Sequence, residues 1–504
     1  MERVPSSPPR RPFPAKYAVS PPKPATARPS GRAHTPTKGS TVSQALHNEF
    51  APDSIEARDL AHLLHPATNL GQLHREGPLV QTRAKGVYVW DNKGKQYLEG
   101  MAGLWCTALG YGEEELARVA EEQMKKLAYS QLFAARTNEP SVLLAEKIKS
   151  MMPFEAGRVF FGLSGSDAND TQVKLMWYYH NLIGKPERKK IIARRGGYHG
   201  VTVASGSLTG LPPFHAQFDL PLPNVLHTDF PHYYRERKEG ETEEEFTTRM
   251  ADSLEALIQK EGPDTIAAFI AEPVMGVGGV IVPPADYYPK IQAVLDRHGI
   301  FFIDDEVICG FGRTGKAFGA EAVGIRPTTM TIAKAVSSAY LPISGVIIPE
   351  FLYEPMVEAS PEVGNFAHGF TYSGHPVCAA VALRNLEIME EREIFAHAAK
   401  VGESFQARLK LLAEHPLVGD TRGVGLIGAV ELVADKASAK PFEASAGVGA
   451  HCMARALEHG LVTRALGDVL ALCPPLIISE NEVDELFTSL ERALDDTLRY
   501  VRAM

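Results

Sequence analysis

Apolar residues change their spacing several times along the chain, and those changes mark elements. From about residue 150 to 349, short unbroken apolar runs alternate with stretches whose apolar positions recur every three or four residues. The runs at 158–161, 190–193, 267–271, 300–303, 330–333 and 345–348 predict strands buried on both faces. Between them lie predicted helices. Thr242 and Glu245 form a capping-box pattern, and behind them Phe246, Met250, Leu254, Leu257 and Ile258 line one helical face. Another helix runs to His298 and is ended by Gly299. Strand and helix alternating in this way predict an α/β fold with a mostly parallel sheet and helices on both faces. Before this region, residues 54–64 read as helix and 87–98 as a hairpin turning at Asp91-Asn92-Lys93-Gly94. The chain closes with a helix opened by Ser479 and Glu482, with Val483, Leu486, Phe487, Leu490, Leu494 and Leu498 on one side. No internal repeat is visible.

Composition narrows the classes. With 504 residues the chain can form one large α/β domain with appendages or several domains. A net charge of -9 argues against a general binder of nucleic acid or anionic membrane. No apolar run is long enough to span a bilayer. The five cysteines are scattered without metal-ligand spacing, so no metal site is expected. They read as free thiols in a reducing compartment, which points to the cytoplasm. Residues 1–40 differ: ten prolines, eight Lys or Arg and a single acid, Glu2. Such a segment buries too little apolar surface to offset its ordering entropy, and disorder is expected. It is basic and acid-poor like a mitochondrial transit peptide, although its prolines oppose the amphipathic helix of such peptides.

Three segments carry candidate chemistry. Gly162 to Asn169 lies between a strand and a helix; it is either a phosphate cradle at a helix N-terminus or a tight turn with Ser166 as N-cap. Asp304-Asp305-Glu306-Val307 ends a buried strand, at the edge where parallel sheets bind ligands. Its acids either pair with a buried cationic nitrogen or cap the next turn. Lys334 ends another strand at the same edge, and a lysine there is awkward unless paired or used covalently, as in Schiff bases. Gly310 to Gly315 matches G-x-G-x-x-G and, with Lys316, nearly a Walker A loop. Ala317 replaces the magnesium-binding hydroxyl, and Glu306 to Cys309 separate the glycines from the strand, so both nucleotide readings fail.

Together these segments resemble the class III (ω-amino acid) aminotransferases of fold type I, over roughly residues 59–498. The resemblance rests on Ser164-Gly165-Ser166-Asp167-Ala168-Asn169-Asp170, Gly197-Tyr198-His199-Gly200, Ala271-Glu272-Pro273, Asp305-Glu306-Val307, Gly310 to Gly315, Ala333-Lys334 and Gly369-Phe370-Thr371-Tyr372-Ser373-Gly374-His375-Pro376. Leu104-Trp105-Cys106, residues 171–179 and His227 to Tyr233 look like the branch that pairs ω-amines or 4-aminobutyrate with pyruvate. The resemblance implies pyridoxal 5'-phosphate as cofactor. It makes Lys334 the residue that carries it, Asp305 the partner of its ring nitrogen, and Gly165 and Ser166 the phosphate holders. Val307 and Tyr198 would pack on its two ring faces, beside His199. Phe370 and Thr371 would come from a neighbouring subunit, implying an obligate homodimer with shared sites, alone or paired into a tetramer. Trp105, Tyr198 and Arg464 would bind an amine donor and a keto-acid acceptor.

Departures from the family pattern are informative. Asp167 stands where Glu is commoner, and Ile308 where many members have Gln. Val277 lies five residues after Glu272, where ornithine-type and animal 4-aminobutyrate-type members have a glutamate that neutralises the arginine. Its absence favours the amine–pyruvate type. Composition makes residues 1–42 a disordered tail, and the resemblance implies a large cofactor domain (101–368) and a smaller α+β domain built from 43–100 and 369–504. Another enzyme of the same fold, such as a decarboxylase, racemase or aminomutase, is the alternative. A nicotinamide-dependent dehydrogenase built on the 310–315 loop and a vestigial scaffold fit less well, since Lys334, Asp305, Ser166 and Tyr198 are all intact.

Overall fold

The computed structural model describes residues 50–504, so the expectation for residues 1–42 lies outside the described residues. The chain divides into two units, Met1–Val80 and Gln81–Met504. In the first, Ser54 caps the helix Ile55–His62 by accepting from the Ala57 N–H. The predicted helix therefore stops before Leu63, whose backbone is extended. Asn69 caps a second helix, Leu70–Glu76.

The second unit contains three sheets. The first begins as an antiparallel meander of β1 (Gln81–Lys85), β2 (Tyr88–Asp91) and β3 (Gln96–Glu99). Asp91 organises the predicted turn by accepting from the N–H groups of Lys93 and Lys95, each at 2.9 Å, and from the Tyr97 hydroxyl at 2.8 Å. The second sheet comprises β4 (Arg158–Gly162), β5 (Lys190–Arg194), β6 (Val225–Thr228), β7 (Ile266–Ala271), β8 (Phe301–Asp305), β9 (Thr329–Ile332) and β10 (Ser344–Ile348). Their spatial order is β4-β10-β9-β8-β7-β5-β6, and β10 alone runs antiparallel. The third sheet holds β11 (Val418–Val424) and β12 (Ile427–Leu432). The pair β13 (Leu461–Val462) joins β3 in parallel, so segments far apart in sequence share the first sheet. Strands β14 (Arg464–Leu466) and β15 (Val469–Leu472) complete the third in the order β11-β12-β15-β14.

The apolar runs alternate faces as a pleated strand must. Ile191, Ala268, Ile270 and Ile303 pack with Leu175 and Met176 of the helix Gly165–Leu182. Ile192, Phe269, Phe302, Met330 and Ile332 point the other way, into a cluster shared with Phe246 and Leu254 of the helix Glu243–Glu261 and with Ile291 and Leu295 of the helix Tyr287–His298. Both faces of the large sheet are thus dry, which explains the unbroken hydrophobic runs. The anticipated capping boxes form at Thr242 with Glu245 and at Ser479 with Glu482, and Gly299 ends its helix in the left-handed conformation. No helix among the described residues is long and apolar enough to cross a membrane.

Candidate active site

Because β10 alone is reversed, the C-terminal ends of β4, β5, β7, β8 and β9 open onto one edge of the sheet. Chain direction turns back there between β5 and β7, the kind of position where open α/β sheets bind ligands. Asp305, the last residue of β8, is 3 % exposed. Its Oδ2 accepts from Asn169 Nδ2 and His199 Nδ1, both at 2.8 Å, and its Oδ1 from the Val307 N–H at 3.2 Å. Asn169 also donates to the His199 carbonyl at 2.8 Å, so the helix beginning at Gly165 and the turn after β5 are tied to the same carboxylate. His199 Nε2 and Asn169 Oδ1 are buried without a hydrogen-bond partner. The neighbouring acids behave differently. Glu306 accepts from the N–H groups of Gly319 and Ala320, capping the next helix, while burial and Glu306 hold the Asp304 carboxyl well above the usual carboxylate range. The two readings of this acidic run therefore divide among its residues.

The turn after β4 is capped by Ser164, whose Oγ accepts from the Asp167 N–H while Asp167 accepts from the Ser164 N–H. Ser166 is thus not the N-cap, which corrects one of the sequence readings. A cap two residues earlier leaves Ser166 in the first turn, where its Oγ accepts from the Val201 N–H at 3.2 Å. The backbone packs so closely that a Cβ on Gly200 would stand 2.6 Å from Ser166 Oγ. A Cβ on Gly165 would stand 3.0 Å from both methyl carbons of Val307, placing the helix start directly against the segment that follows Asp305.

Lys334 follows β9, the neighbour of β8, and adopts a left-handed backbone with φ 51°. Such a conformation costs a non-glycine residue roughly 1–2 kcal/mol. Its side chain is half-buried, and no hydrogen bond or ion pair engages its amine among the described residues. Desolvation holds the ammonium below the usual lysine range, against the opposing pull of Cys106, Asp305, Glu272 and Cys473. Glu272, at the end of β7, braces the wall with its carboxylate, accepting from the Tyr198 N–H at 2.9 Å and the Gly276 N–H at 3.0 Å.

Tyr198 is half-buried, edge-on to Phe214 at 5.5 Å, and feels the charges of Arg464, Glu272 and Asp305. Arg464, at the start of β14, pairs with no carboxylate among the described residues, and desolvation lowers its affinity for a proton. Val277 is apolar and packs against the cluster that holds Trp105 and Ile308. Ile308 presents its chain to Gly276 and offers no polar atom. Trp105 is 1 % exposed and sits at φ 64°, and its indole N–H has no acceptor.

Two predicted residues are not brought to this cluster within the chain. Phe370 lies edge-on to Phe160 and His368, and Thr371 is exposed, its carbonyl accepting from the Tyr129 hydroxyl. The glycine loop 310–315 serves packing: a Cβ on Gly312 would strike Phe395, and Arg313 donates to the carbonyls of Leu426 and Pro474. Sequence reading assigned no role to Asn169 or Glu272. Their signal was position, one helical turn after the serine turn and at the end of a strand. Elsewhere, ligand-type atoms of His232, Asp420 and Glu431 lie within 4.8 Å of one another, but Arg422 bridges both acids.

The expected pyridoxal phosphate matches this donor set. An unpaired half-buried amine suits its aldehyde, a carboxylate fixed by three donors suits a protonated ring nitrogen, and open N–H groups at a helix start suit its phosphate. The comparisons agree. The family model for class-III aminotransferases matches residues 72–494. A gamma aminobutyrate transaminase 3, chloroplastic, from Solanum lycopersicum is 46% identical over 459 residues, covering 91% of this chain and 88% of the relative. A vanillin aminotransferase from Capsicum annuum is 47% identical over 428 residues, covering 85% and 93%. The structure of an omega transaminase from Pseudomonas jessenii in complex with PMP is 50% identical, covers 89% of this chain and 99% of that one, and superposes with a TM-score of 0.88. The chain therefore belongs to the class-III aminotransferases, enzymes that use pyridoxal phosphate to move an amino group between an amine and a keto acid.

Proposed function

We propose that the enzyme takes its amino group from an ω-amino acid or simple primary amine and gives it to pyruvate. The observation that carries this reading is Arg464, a guanidinium beside Tyr198 with no carboxylate partner among the described residues and with Val277 in place of a neutralising acid. An unpaired arginine at a pocket wall is a ready bidentate clamp for a keto acid's carboxylate. Trp105 and Tyr198 shape the pocket for the amine. Lys334 carries the cofactor, Gly165 and Ser166 hold its phosphate, and Asp305, braced by His199, keeps a proton on its ring nitrogen. Val307 and Tyr198 flank its ring. Bound there, pyridoxal phosphate supplies the electron sink that makes the amine's α-proton removable. Lys334 Nζ moves that proton, and desolvation, which weakens its own hold on a proton, favours that role.

We read the functional molecule as a homodimer in which Phe370 and Thr371 of one subunit serve the site of the other, since neither reaches its own. The large domain is read as 101–368, with the smaller one from 43–100 and 369–504. Cytoplasmic residence is the first reading, and the free cysteines suit it as they suit any reducing compartment. An organellar destination is the second reading. The basic segment 1–40 favours it, as do relatives whose names carry the words mitochondrial and chloroplastic. A reporter fused behind residues 1–49 decides between the two.

The test of the main reading is a panel of amines (4-aminobutyrate, β-alanine, a diamine, 1-phenylethylamine) against pyruvate, with alanine measured. Lys334→Ala abolishes turnover with all of them. Arg464→Ala impairs pyruvate acceptance far more than it impairs the use of 1-phenylethylamine. Equal losses for both half-reactions overturn the role given to Arg464.

A further inference from the structure

The loop that carries Trp105 is strained, and its burial alone does not explain why it holds. Ala102, Gly103 and Trp105 have φ of 46°, 65° and 64°, and Leu104 between them is 57% exposed. Upstream the loop is anchored: the Gly100 N–H donates to the Val462 carbonyl, and the Cys473 N–H donates to the Gly100 carbonyl. At the end of β3, Glu99 folds its carboxylate back over the loop. It is 2 % exposed, its Oε1 accepts from the Met101 N–H at 3.0 Å, and the nearby Gly103 N–H and Tyr111 hydroxyl favour its ionised form. A Cβ on Gly103 would stand 3.3 Å from the Tyr111 oxygen, so the phenol closes the other side of the turn.

We propose that Glu99 is a positioning residue for amine selection: its buried carboxylate holds the turn at 101–103 and thereby fixes the indole of Trp105. This deepens the reading in which Trp105 lines the amine pocket. A carboxylate suits the place because the Met101 N–H donates to it, the Gly103 N–H and Tyr111 hydroxyl also favour its charged form, and no cation of the loop competes for it. Burial pushes this carboxyl up to about 7 against the pull of these groups. The groups facing it are Tyr111, Cys106 and Cys473, with Lys334 and Arg313 beyond the thiols; burial raises both thiols and the phenol, which therefore stay neutral at pH 7. Glu306, Glu272 and Asp304 face Cys309 elsewhere in the apolar cluster that holds the tryptophan. The grip on Trp105 thus tightens as the solution passes from mildly acidic to mildly alkaline.

The test uses the holoenzyme carrying Trp90→Phe and Trp177→Phe, which leaves Trp105 as the one indole of the three. Its emission and its quenching by acrylamide should titrate between about pH 6 and 8, most of the change falling within one unit of the midpoint. In the same background Glu99→Gln should abolish that titration and raise the quenching constant at every pH. KM for 1-phenylethylamine should rise about fivefold while kcat changes less than about twofold. A titration that survives Glu99→Gln belongs to another carboxyl and overturns the proposal, as does an unchanged quenching constant. If Glu99→Gln does not fold, a flat pH profile in the protein with Glu99 intact overturns it equally. Trp105→Phe separates the two readings: unchanged KM for every amine refutes the pocket role of Trp105, while the fluorescence arm still judges Glu99.

Discussion

Replacing His199 with Phe tests how Asp305 is kept ready. Phe keeps a flat ring, somewhat larger, but removes both nitrogens, and the one that serves the site is Nδ1, which donates to Asp305 Oδ2 at 2.8 Å. The carboxylate retains Asn169 at 2.8 Å and the Val307 N–H at 3.2 Å. With Asp305 only 3 % exposed, water does not replace the missing donor. A hydrogen bond to a charged group contributes about 1.5–3 kcal/mol. At about 1.4 kcal/mol per decade, losing that bond weakens the hold on the ring nitrogen by roughly 10- to 150-fold. If the ionised acid keeps the ring nitrogen protonated, kcat should fall by up to that factor, with KM for pyruvate nearly unchanged because Arg464 is untouched. Single-turnover measurements with an amine and no keto acid isolate the affected half-reaction. Asn169→Leu should act similarly, and the double variant should lose less than the product of the two, since both donors serve one oxygen. A folded His199→Phe enzyme with kcat within about twofold of the original would refute the reasoning.

Phe269, fully buried in β7, should cost about 3–5 kcal/mol on truncation to Ala, read as a lower urea midpoint at constant slope. His232 is held to about 3 by burial and by Arg422 and Arg235, against Glu431. A histidine depressed in the folded state stabilises fully above its unfolded value and loses that contribution as pH falls from about 6.5 to about 3. His232→Asn should flatten the stability profile across that window, and an unchanged acid limb in denaturant titrations would count against the burial argument. Ser164→Ala removes the cap of the phosphate-side helix and should cost about 1 kcal/mol by thermal unfolding. It should also speed loss of the cofactor on gel filtration, and a stability loss without that second effect would detach the cap from the site.

The large sheet was legible because its strands are dry on both faces, so their apolar runs stand out against helical spacing. The edge strand β6 was missed: it is short, and His227 and Thr228 interrupt its pattern. The third sheet was missed for a related reason. Its strand β11 reads VGDTRGV, polar and glycine-rich, and pairing supplies what propensity does not. At the site, Lys334 and Asp305 were visible as charges at strand ends. The bonds of Asn169 to Asp305 and of Glu272 to Tyr198 were not, because they join residues more than seventy positions apart. Ser166 was misread as a cap because three small polar residues compete for one role, and backbone geometry alone chooses Ser164.

Strand β4 lies at the margin of its sheet and pairs with β10 alone. On a ribosome, the segment that leads into the Gly165 helix emerges long before the one strand that can moor it. The phosphate end of the site must therefore wait for residues 344–348, while the strands bearing Asp305 and Lys334 can already associate. A nascent chain arrested just before β10 would display a half-built pocket with a loose helix start, and tight retention of the cofactor would begin only once that last strand slid between β4 and β9.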